Sequence, residues 1–153
     1  EQVMAFAQVN LTLQGIEGAA RAFGQLADAD LDALAFAAGQ YLAESTKERI
    51  DQGRAPDGNA WTPWSAGYAQ TRHNGHSLLI DSGALQDSIQ NISSGLVVSV
   101  GAHVKQAAIH QFGGKAGRGR KVTIPARPYL GLSDHDRQAV ESLIAERLAG
   151  VFV

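Results

Sequence analysis

The chain has 153 residues, a length typical of one domain, and such a chain can bury roughly two thirds of its unfolded surface. It contains no cysteine, which excludes disulfides and thiolate metal sites. A net charge of −2 excludes a general attraction to nucleic acid, so any such contact must be local.

The N-terminal part starts with an alternating pattern and continues with helical ones. Apolar and polar residues alternate from Val3 to Leu13, which predicts a half-buried strand. Residues Ile16 to Leu26 have a weaker helical spacing. The strongest pattern predicts a helix from Ala29 to about Asp51, capped by Asp28 or Asp30. We expect one face of this helix to carry its apolar stripe: Leu31, Leu34, Ala35, Ala38, Leu42, Ser45 and Ile50.

A turn-rich segment follows this helix. Gly53 to Ala60 ends the helix, and Pro56-Asp57-Gly58 within it predicts a tight turn. Both tryptophans, Trp61 and Trp64, come next. Loop anchoring is the favoured interpretation of this pair, and an aromatic contact patch is the alternative. Ser65 is predicted to cap a short helix.

The middle of the chain predicts a second β region. Residues Leu85 to Ile92 fit a helical turn better than a strand, and Ser93-Ser94-Gly95 is the turn that follows. Alternation from Leu96 to Val100 predicts a strand that ends at Gly101. Ala107 to Gln111 is expected to form one or two helical turns.

The C-terminal pattern predicts a last helix. Ser133 is its cap, Asp134 and Asp136 occupy its first turn, and Gly150 is expected to stop it. Its buried stripe is predicted to be Val140, Leu143, Ile144 and Leu148. Strands segregated from helices predict an α+β fold: a small, mostly antiparallel sheet packed against one long helix and a C-terminal helix, with extended loops.

Two adjacent segments before the last helix differ from ordinary loops. Lys115 to Lys121 places four cations among glycines, which predicts a mobile basic loop. Ile124 to Pro128 brackets Arg127 between two prolines, which predicts a stiff extended arm. Such a pair suits contact with a partner better than a reaction. The basic loop is interpreted as a solvated loop or as a contact for an acidic protein face. Contact with nucleic acid is less favoured, because no aromatic residue is interleaved for base stacking.

The titratable residues do not form a recognisable catalytic or metal-binding pattern. Histidines have no convergent spacing, and no nucleophile elbow or phosphate-binding glycine motif is present. Acidic pairs lie at predicted helix starts, where capping explains them. We therefore expect no enzyme activity, metal or cofactor. The histidines considered were His73, His76, His103, His110 and His135.

Several motifs together resemble a known family. They are Pro56-Asp57-Gly58, Trp61-Thr62-Pro63, the IHQFG sequence that starts at Ile109, and the IPARPYLGLS sequence that starts at Ile124. In this order the chain resembles the phage virion morphogenesis (tail completion) family of Mu-like phages, over roughly Leu31 to Leu148.

The resemblance implies a structural, non-enzymatic protein of the phage tail end or neck, assembled in the host cytoplasm. It implies a ring of roughly six copies that contacts tail-tube and neck proteins. A charged fraction of only 18% agrees with surface covered by other subunits. No apolar run is long enough for a membrane span, and no signal-peptide pattern is present. The alternatives are a nucleic-acid-binding module that uses the basic loop, or a metal-dependent hydrolase built on the histidines.

We expect partner contacts to come from the two unusual segments, the tryptophans and the C-terminal tail. Strand edges at Val3 to Leu13 and near Val100 are candidates for subunit pairing, as is the tail Val151 to Val153. The candidate contact residues are Phe112, Lys115, Arg118, Arg120, Lys121, Pro125, Arg127, Pro128, Tyr129, Trp61, Trp64 and Phe152.

Overall fold

The long helix α1, Asp28–Gln52, organises the part of the chain that a computed structural model describes, which is residues 7–12, 28–73, 76–95 and 97–151. Its predicted apolar stripe is confirmed, except that Ser45 is only half-buried. The segment Ile16 to Leu26 lies outside the described residues. The buried apolar members of the stripe are Leu31, Leu34, Ala35, Ala38, Leu42 and Ile50.

The other elements are short apart from the last helix, and they confirm the predicted α+β class. The strands of the main sheet are β1 Ala7–Thr12, β2 Ile89–Asn91 and β3 Val97–Ala102. The remaining helices are α2 Ala66–Ala69, α3 Ala84–Asp87, α4 Ala107–Phe112 and α5 Asp134–Val151. Two more strands, β4 Gly114–Ala116 and β5 Val122–Ile124, flank a 3-10 turn at Arg118–Arg120.

Strand β3 lies at the centre of a three-stranded antiparallel sheet with the order β1-β3-β2. Residues 98–102 are all buried, as expected for a central strand that α1 covers. The strand continues through Gly101 to Ala102, one residue beyond the predicted end. The helical turn predicted for Leu85 to Ile92 is partly wrong, because the chain leaves α3 at Asp87 and pairs with β3 from Ile89. Pairing and burial of Ile89 override the local helical spacing.

A glycine inside α1 allows the helix to lie directly on the sheet. A Cβ built at Gly39 would overlap the side-chain oxygen of Asn91 on β2. The Asn91 amide donates a 2.9 Å hydrogen bond to the carbonyl of Phe36, one turn earlier in the helix. Gly39 therefore lets α1 approach β2 closely, although glycine costs about 1 kcal/mol in a helix interior.

A buried ion pair joins α1 to the start of α5. Arg49 Nη2 donates to Asp136 Oδ2 at 2.5 Å, and both side chains are almost fully buried. The Asp136 carboxylate also accepts from the hydroxyl of Ser45 and from the backbone N–H of Ser133. Ser133 Oγ accepts from the N–H of Asp136 at 2.9 Å, so the predicted cap is confirmed as one half of a reciprocal pair.

The last helix packs through its first half and then continues farther than predicted. Val140 is buried, and Leu143 and Ile144 pack against the core. The prediction that Gly150 stops the helix is wrong, because α5 runs through it to Val151. A helix tolerates an internal glycine at a modest cost. The Leu148 side chain and the candidate contact Phe152 lie outside what is described.

The pKa of Asp136 reflects this arrangement. Burial by itself raises the pKa, but hydrogen bonds from Ser45 and Ser133 and the charge of Arg49 together lower it below the ordinary 3.8. A carboxyl whose pKa is lower in the folded chain stabilises the fold above its unfolded pKa. That contribution is lost as the pH falls through the folded value.

We expect Asp136→Asn to lower the free energy of unfolding by about 3–5 kcal/mol near neutral pH, because it leaves Arg49 buried without a counter-charge. The difference from the parent, measured by urea unfolding, should narrow between about pH 5 and about pH 3. Asp134→Asn changes an exposed carboxylate in the same turn and is the matched control. A difference between parent and Asp136→Asn that stays constant over this range would contradict the assignment.

Candidate interaction surface

The arm that contains Arg127 is fixed by hydrogen bonds from several elements. Arg127 Nε donates to the carbonyl of Thr62 at 2.8 Å, and Trp61 Nε1 donates to the carbonyl of Pro128 at 2.8 Å. The hydroxyl of Tyr129 donates to the carbonyl of Ala107 at 2.9 Å. Burial raises the pKa of Tyr129, so the hydroxyl remains a donor. Residues 125–132, which we call the arm from here on, have no regular secondary structure, and side chains supply the hydrogen bonds that this backbone needs.

Gln111 in α4 binds the arm as a neighbouring strand would. Its Oε1 accepts from the N–H groups of Tyr129 and Leu130, both at 3.0 Å, and its Nε2 donates to the carbonyl of Leu130 at 3.0 Å. The chain then turns at Gly113, which has a φ of +72°. A Cβ at Gly113 would lie 2.8 Å from the backbone nitrogen of Ala126, so only glycine lets the arm pass here.

Three of the predicted contact residues lie inside the fold. Trp61, Arg127 and Tyr129 have relative exposures of 5%, 6% and 0%. The position of Trp61 agrees with the anchoring interpretation. We assign all three side chains to support of the surface rather than to the surface itself, which corrects the expectation that they contact a partner in this conformation. Pro125 and Pro128 are half-buried.

The basic segment Lys115 to Lys121 is the tip of a β-hairpin, which we call the basic hairpin (residues 114–124). Strands β4 and β5 pair from Gly114↔Ile124 to Ala116↔Val122, so paired strands lie at both ends of the predicted loop, whereas its mobility stays a prediction. Gly117 and Gly119 have φ values of +78° and +70°, and these conformations let the chain reverse within a few residues. The strand pairing was not predicted, because glycines interrupt the alternation of residues that would indicate a strand.

The basic hairpin exposes cationic and apolar side chains together. Phe112, at its base, is 71% exposed, and Val122 is 53% exposed. Within the described residues, the four cations form no ion pair or side-chain hydrogen bond. These cations are Lys115, Arg118, Arg120 and Lys121. The hairpin therefore presents charge that the fold itself does not use.

A groove of about 470 Å³ separates β5 from an aromatic wall. Trp64 and Tyr68 form this wall, with ring centroids 6.0 Å apart in an edge-to-face arrangement. The Arg72 guanidinium lies 5.2 Å from the centroid of Tyr68 and 5.7 Å from that of Trp64, in range of a cation–π interaction. Leu78 and His110 also line the groove, which is mainly apolar.

A smaller pocket of about 170 Å³ continues from this groove and is polar. The two share Trp64, Tyr68, Leu78 and His110 as lining residues. Three buried polar atoms in the pocket have no hydrogen-bond partner among the described residues: Arg72 Nε, Ser77 Oγ and His110 Nδ1. Burial, and then the charge of Arg127, lower the pKa of His110, so its ring is neutral near pH 7.

Among the described histidines, His73 and His76 contact each other, with ring centroids 5.7 Å apart, and the others contact residues of other types. His76 Nε2 lies 3.4 Å from Asp81 Oδ1, His103 contacts Gln90, and Tyr41 contacts His135. Among the described residues, no three His, Cys, Asp or Glu side chains are grouped so that they could hold a metal ion. A search of the same residues finds no helix with the length and apolar character that a membrane crossing needs.

Sequence reasoning missed Tyr68, Arg72 and Ser77 as surface residues. Tyr68 and Arg72 are four residues apart, the spacing at which side chains meet in a helical turn, and this signal was available. Ser77 has no distinguishing local pattern. It enters the pocket because residues 77 and 80 close a tight turn through reciprocal backbone hydrogen bonds of 3.0 and 3.2 Å.

Comparison with known proteins agrees with the resemblance seen in the motifs. The sequence model of the phage virion morphogenesis family matches residues 11–149. The chain is 53% identical over 58 residues to Mu-like prophage FluMu G protein 2 of Haemophilus influenzae, which covers 38% of this chain and 42% of that relative. It is 31% identical over 114 residues to putative capsid assembly protein G of Escherichia phage Mu, which covers 71% of this chain and 73% of that relative. No solved structure matches the chain.

We expect Tyr129→Ala to lower the free energy of unfolding by about 3–5 kcal/mol, because it leaves a cavity in the core under the arm. Tyr129→Phe keeps the packing and loses only the hydrogen bond to Ala107, so it should cost about 1 kcal/mol. The measurement is urea unfolding, with His103→Ala as an exposed control of small effect. If Tyr129→Ala unfolds like the parent, the arm is not held by this side chain.

Proposed function

This chain belongs to the phage virion morphogenesis family, and on that premise we propose that it is a structural protein of the phage tail end or neck. In this role it completes the tail and supports its joining to the head. It acts by binding neighbouring proteins and catalyses no reaction.

The observation that carries the proposal is the family match over residues 11–149. The names of the relatives support a role in building the particle, since the phage Mu protein is called a putative capsid assembly protein. The chain aligns with only 42% of the prophage relative, so its place in the particle is inferred from the family and from its own surface. A position at the tail end or neck is compatible with the name of the phage Mu relative, which refers to capsid assembly.

The structure supports a binding role through the contrast between its interior and its surface. The buried side chains of Arg49 and Arg127 and the half-buried side chain of Gln111 hold the arm and the last helix. The basic hairpin, in contrast, presents cations that serve no internal contact in the described residues. Exposed charges contribute little to stability, so their presence is better explained by a partner.

Contact with DNA is the second candidate function, and the four exposed cations favour it. Each phosphate neutralised by such a cation would add a salt-dependent increment to affinity. Against it, the hairpin contains no aromatic residue for base stacking, and the whole chain has a net charge of −2. Retention on duplex DNA that falls steeply with salt would support this alternative.

We propose a closed ring of about six copies with head-to-tail contacts as the working form. The distribution of charge supports such contacts. The basic hairpin holds four of the 13 lysines and arginines and none of the 15 carboxylates, so the remainder of the chain has a net charge of −6. Among the described strands, β1 and β2 lie at the edges of the main sheet and offer backbone groups for pairing between subunits.

A phage deprived of this chain should accumulate heads and tails that do not join, as seen by negative-stain electron microscopy. Adding the parent chain should restore infectious particles, whereas Arg118→Gln with Arg120→Gln should restore many fewer and fold normally. Lys105→Gln with Arg137→Gln removes two exposed cations outside the hairpin and is the matched control. Normal joined particles in the absence of the chain would contradict the proposed function.

Imaging of the particle neck or tail end should show this chain as a ring with about six copies around the tail axis. A protein that meets a rotationally symmetric tail face-on repeats the same contacts when it shares that axis. An isolated two-fold dimer at this position would contradict the proposed ring. Absence of the chain from particles at every assembly stage would contradict its proposed position in the particle.

A further inference from the structure

We propose that the groove between β5 and the Trp64–Tyr68 wall binds an extended, acidic segment of another protein of the particle. The segment pairs with the outer edge of β5, and one of its amide groups enters the polar pocket at Arg72, Ser77 and His110. This inference rests on the proposed function, because it names the chemistry of the partner.

The polar pocket matches an amide in its donors and acceptors. Arg72 Nε can only donate a hydrogen bond, Ser77 Oγ can donate or accept, and neutral His110 Nδ1 accepts or donates according to its tautomer. A peptide unit, or the side chain of Asn or Gln, has a carbonyl to accept and an N–H to donate. Unpartnered buried polar atoms are rare in folded proteins, and three in one pocket indicate a group that arrives from outside.

A neutral amide fits the pocket better than a carboxylate does. The charge of Arg72 is already balanced, because its Nη2 donates to Asp81 Oδ1 at 2.5 Å. Its Nη1 donates to the hydroxyl of Tyr68 at 3.0 Å, and its Nε is a buried nitrogen without a partner among the described residues. A carboxylate would have to approach Asp81, whereas an amide brings no charge.

The strand edge and the groove favour an extended polypeptide as the occupant. In the described residues, β5 pairs with β4 and with no other strand, so its second edge is available. Val122, Thr123 and Ile124 are among the residues that line the groove. Addition of a strand at such an edge combines main-chain hydrogen bonds with apolar pockets for side chains. A small molecule would not use the strand edge.

The charges on the hairpin favour an acidic segment. Lys115 and Lys121 flank the turn, and Arg118 and Arg120 lie within it, all exposed. A segment that lies along β5 passes these cations, and complementary charge steers association and fixes orientation. The acidic residues are therefore expected beside the hairpin tip and the amide at the opposite end, in the polar pocket.

The first experiment tests whether the polar pocket is an unoccupied binding site for a partner or is already filled by water. We expect Ser77→Ala to leave thermal stability unchanged or to raise it, because the removed hydroxyl has no partner in the described residues. A clear fall in stability would overturn the proposal by showing that the hydroxyl already has a partner, such as an ordered water.

The second experiment uses a defined probe. It is a seven-residue peptide with blocked termini, three acidic residues at one end, three valines in the middle and an asparagine at the other end, and its binding is followed by NMR on the labelled chain. We expect saturable shifts of the Val122 to Ile124 amides and of the Trp64 indole. Replacing the asparagine of the peptide by alanine should weaken its binding roughly fivefold to tenfold. Ser77→Ala in the protein should weaken the binding of the asparagine peptide to a similar extent. Absence of saturable shifts in β5 would overturn the proposal.

Thr123→Tyr places a large residue that favours strands in the lining of the groove, and it should abolish peptide binding. Val97→Tyr places the same side chain on an exposed strand residue that does not line the groove, and it should bind like the parent. Binding of duplex DNA that depends on the four cations, together with no peptide shifts, would assign the hairpin to nucleic acid and overturn the proposal.

Complementation of the phage that lacks the chain distinguishes the two levels of inference. If the parent and Thr123→Tyr both restore joined particles, the groove proposal fails and the proposed function stands. If the parent restores nothing and is absent from particles, the proposed function fails, whatever peptides bind. If the parent and Val97→Tyr restore joined particles and Thr123→Tyr does not, the result supports both the groove proposal and the proposed function.

Discussion

The contacts of one buried guanidinium fix the arm to which the candidate surface is attached. Arg49 donates to the carboxylate of Asp136 and to the carbonyl of Tyr129, at 2.5 and 2.6 Å, and so it joins the long helix, the last helix and the arm between them. A buried charge is costly unless it is paired and hydrogen-bonded, and here every polar neighbour is supplied by the fold. If the arm moved, Arg49 Nη1 would lose its hydrogen bond to the carbonyl of Tyr129. The α4 segment and the basic hairpin are attached to that arm, so their positions depend on it as well.

The residues near the candidate surface fall into two groups. One group holds the backbone of the surface in place, and the other is exposed on it. Gln111 and Arg127 hydrogen-bond to backbone groups, and these contacts place the base of the hairpin and the aromatic wall on either side of one groove. The hairpin cations make no such contacts in the described residues. A substitution in the first group changes geometry and stability together, whereas a substitution at the tip changes only what a partner meets. Binding proteins gain from this division, because a preorganised surface loses less entropy when a partner arrives.

Local sequence patterns predicted the elements that depend on local physics. The α1 stripe, the Ser133 cap and the short α4 helix each follow from spacing or capping within a few residues. The pairing of Ile89 with β3 was missed because it depends on a partner strand, and the hairpin was missed because glycines hide strand alternation. The pair of Arg49 and Asp136 spans 87 residues, and capping alone already explained the aspartate. The hairpin cations and Phe112 were named as candidate contacts and are exposed, whereas the aromatic wall and the polar pocket exist only after folding brings distant turns together.

The motifs that carry the family resemblance therefore describe the scaffold more than the partner. In IPARPYLGLS, Arg127 and Tyr129 are interior, and Gly131 is restricted because a Cβ there would lie 2.6 Å from the ring of Pro56. In IHQFG, Gln111 holds the arm and Gly113 lets it pass. Residues that serve such contacts cannot change independently, so they form a recognisable motif whatever the protein binds. The hairpin tip has no comparable internal constraint. Family membership thus supports a role in particle assembly, while recognition of the neighbour is proposed for Lys115 to Lys121 and for the groove beside β5, where the side chains are not used by the described fold.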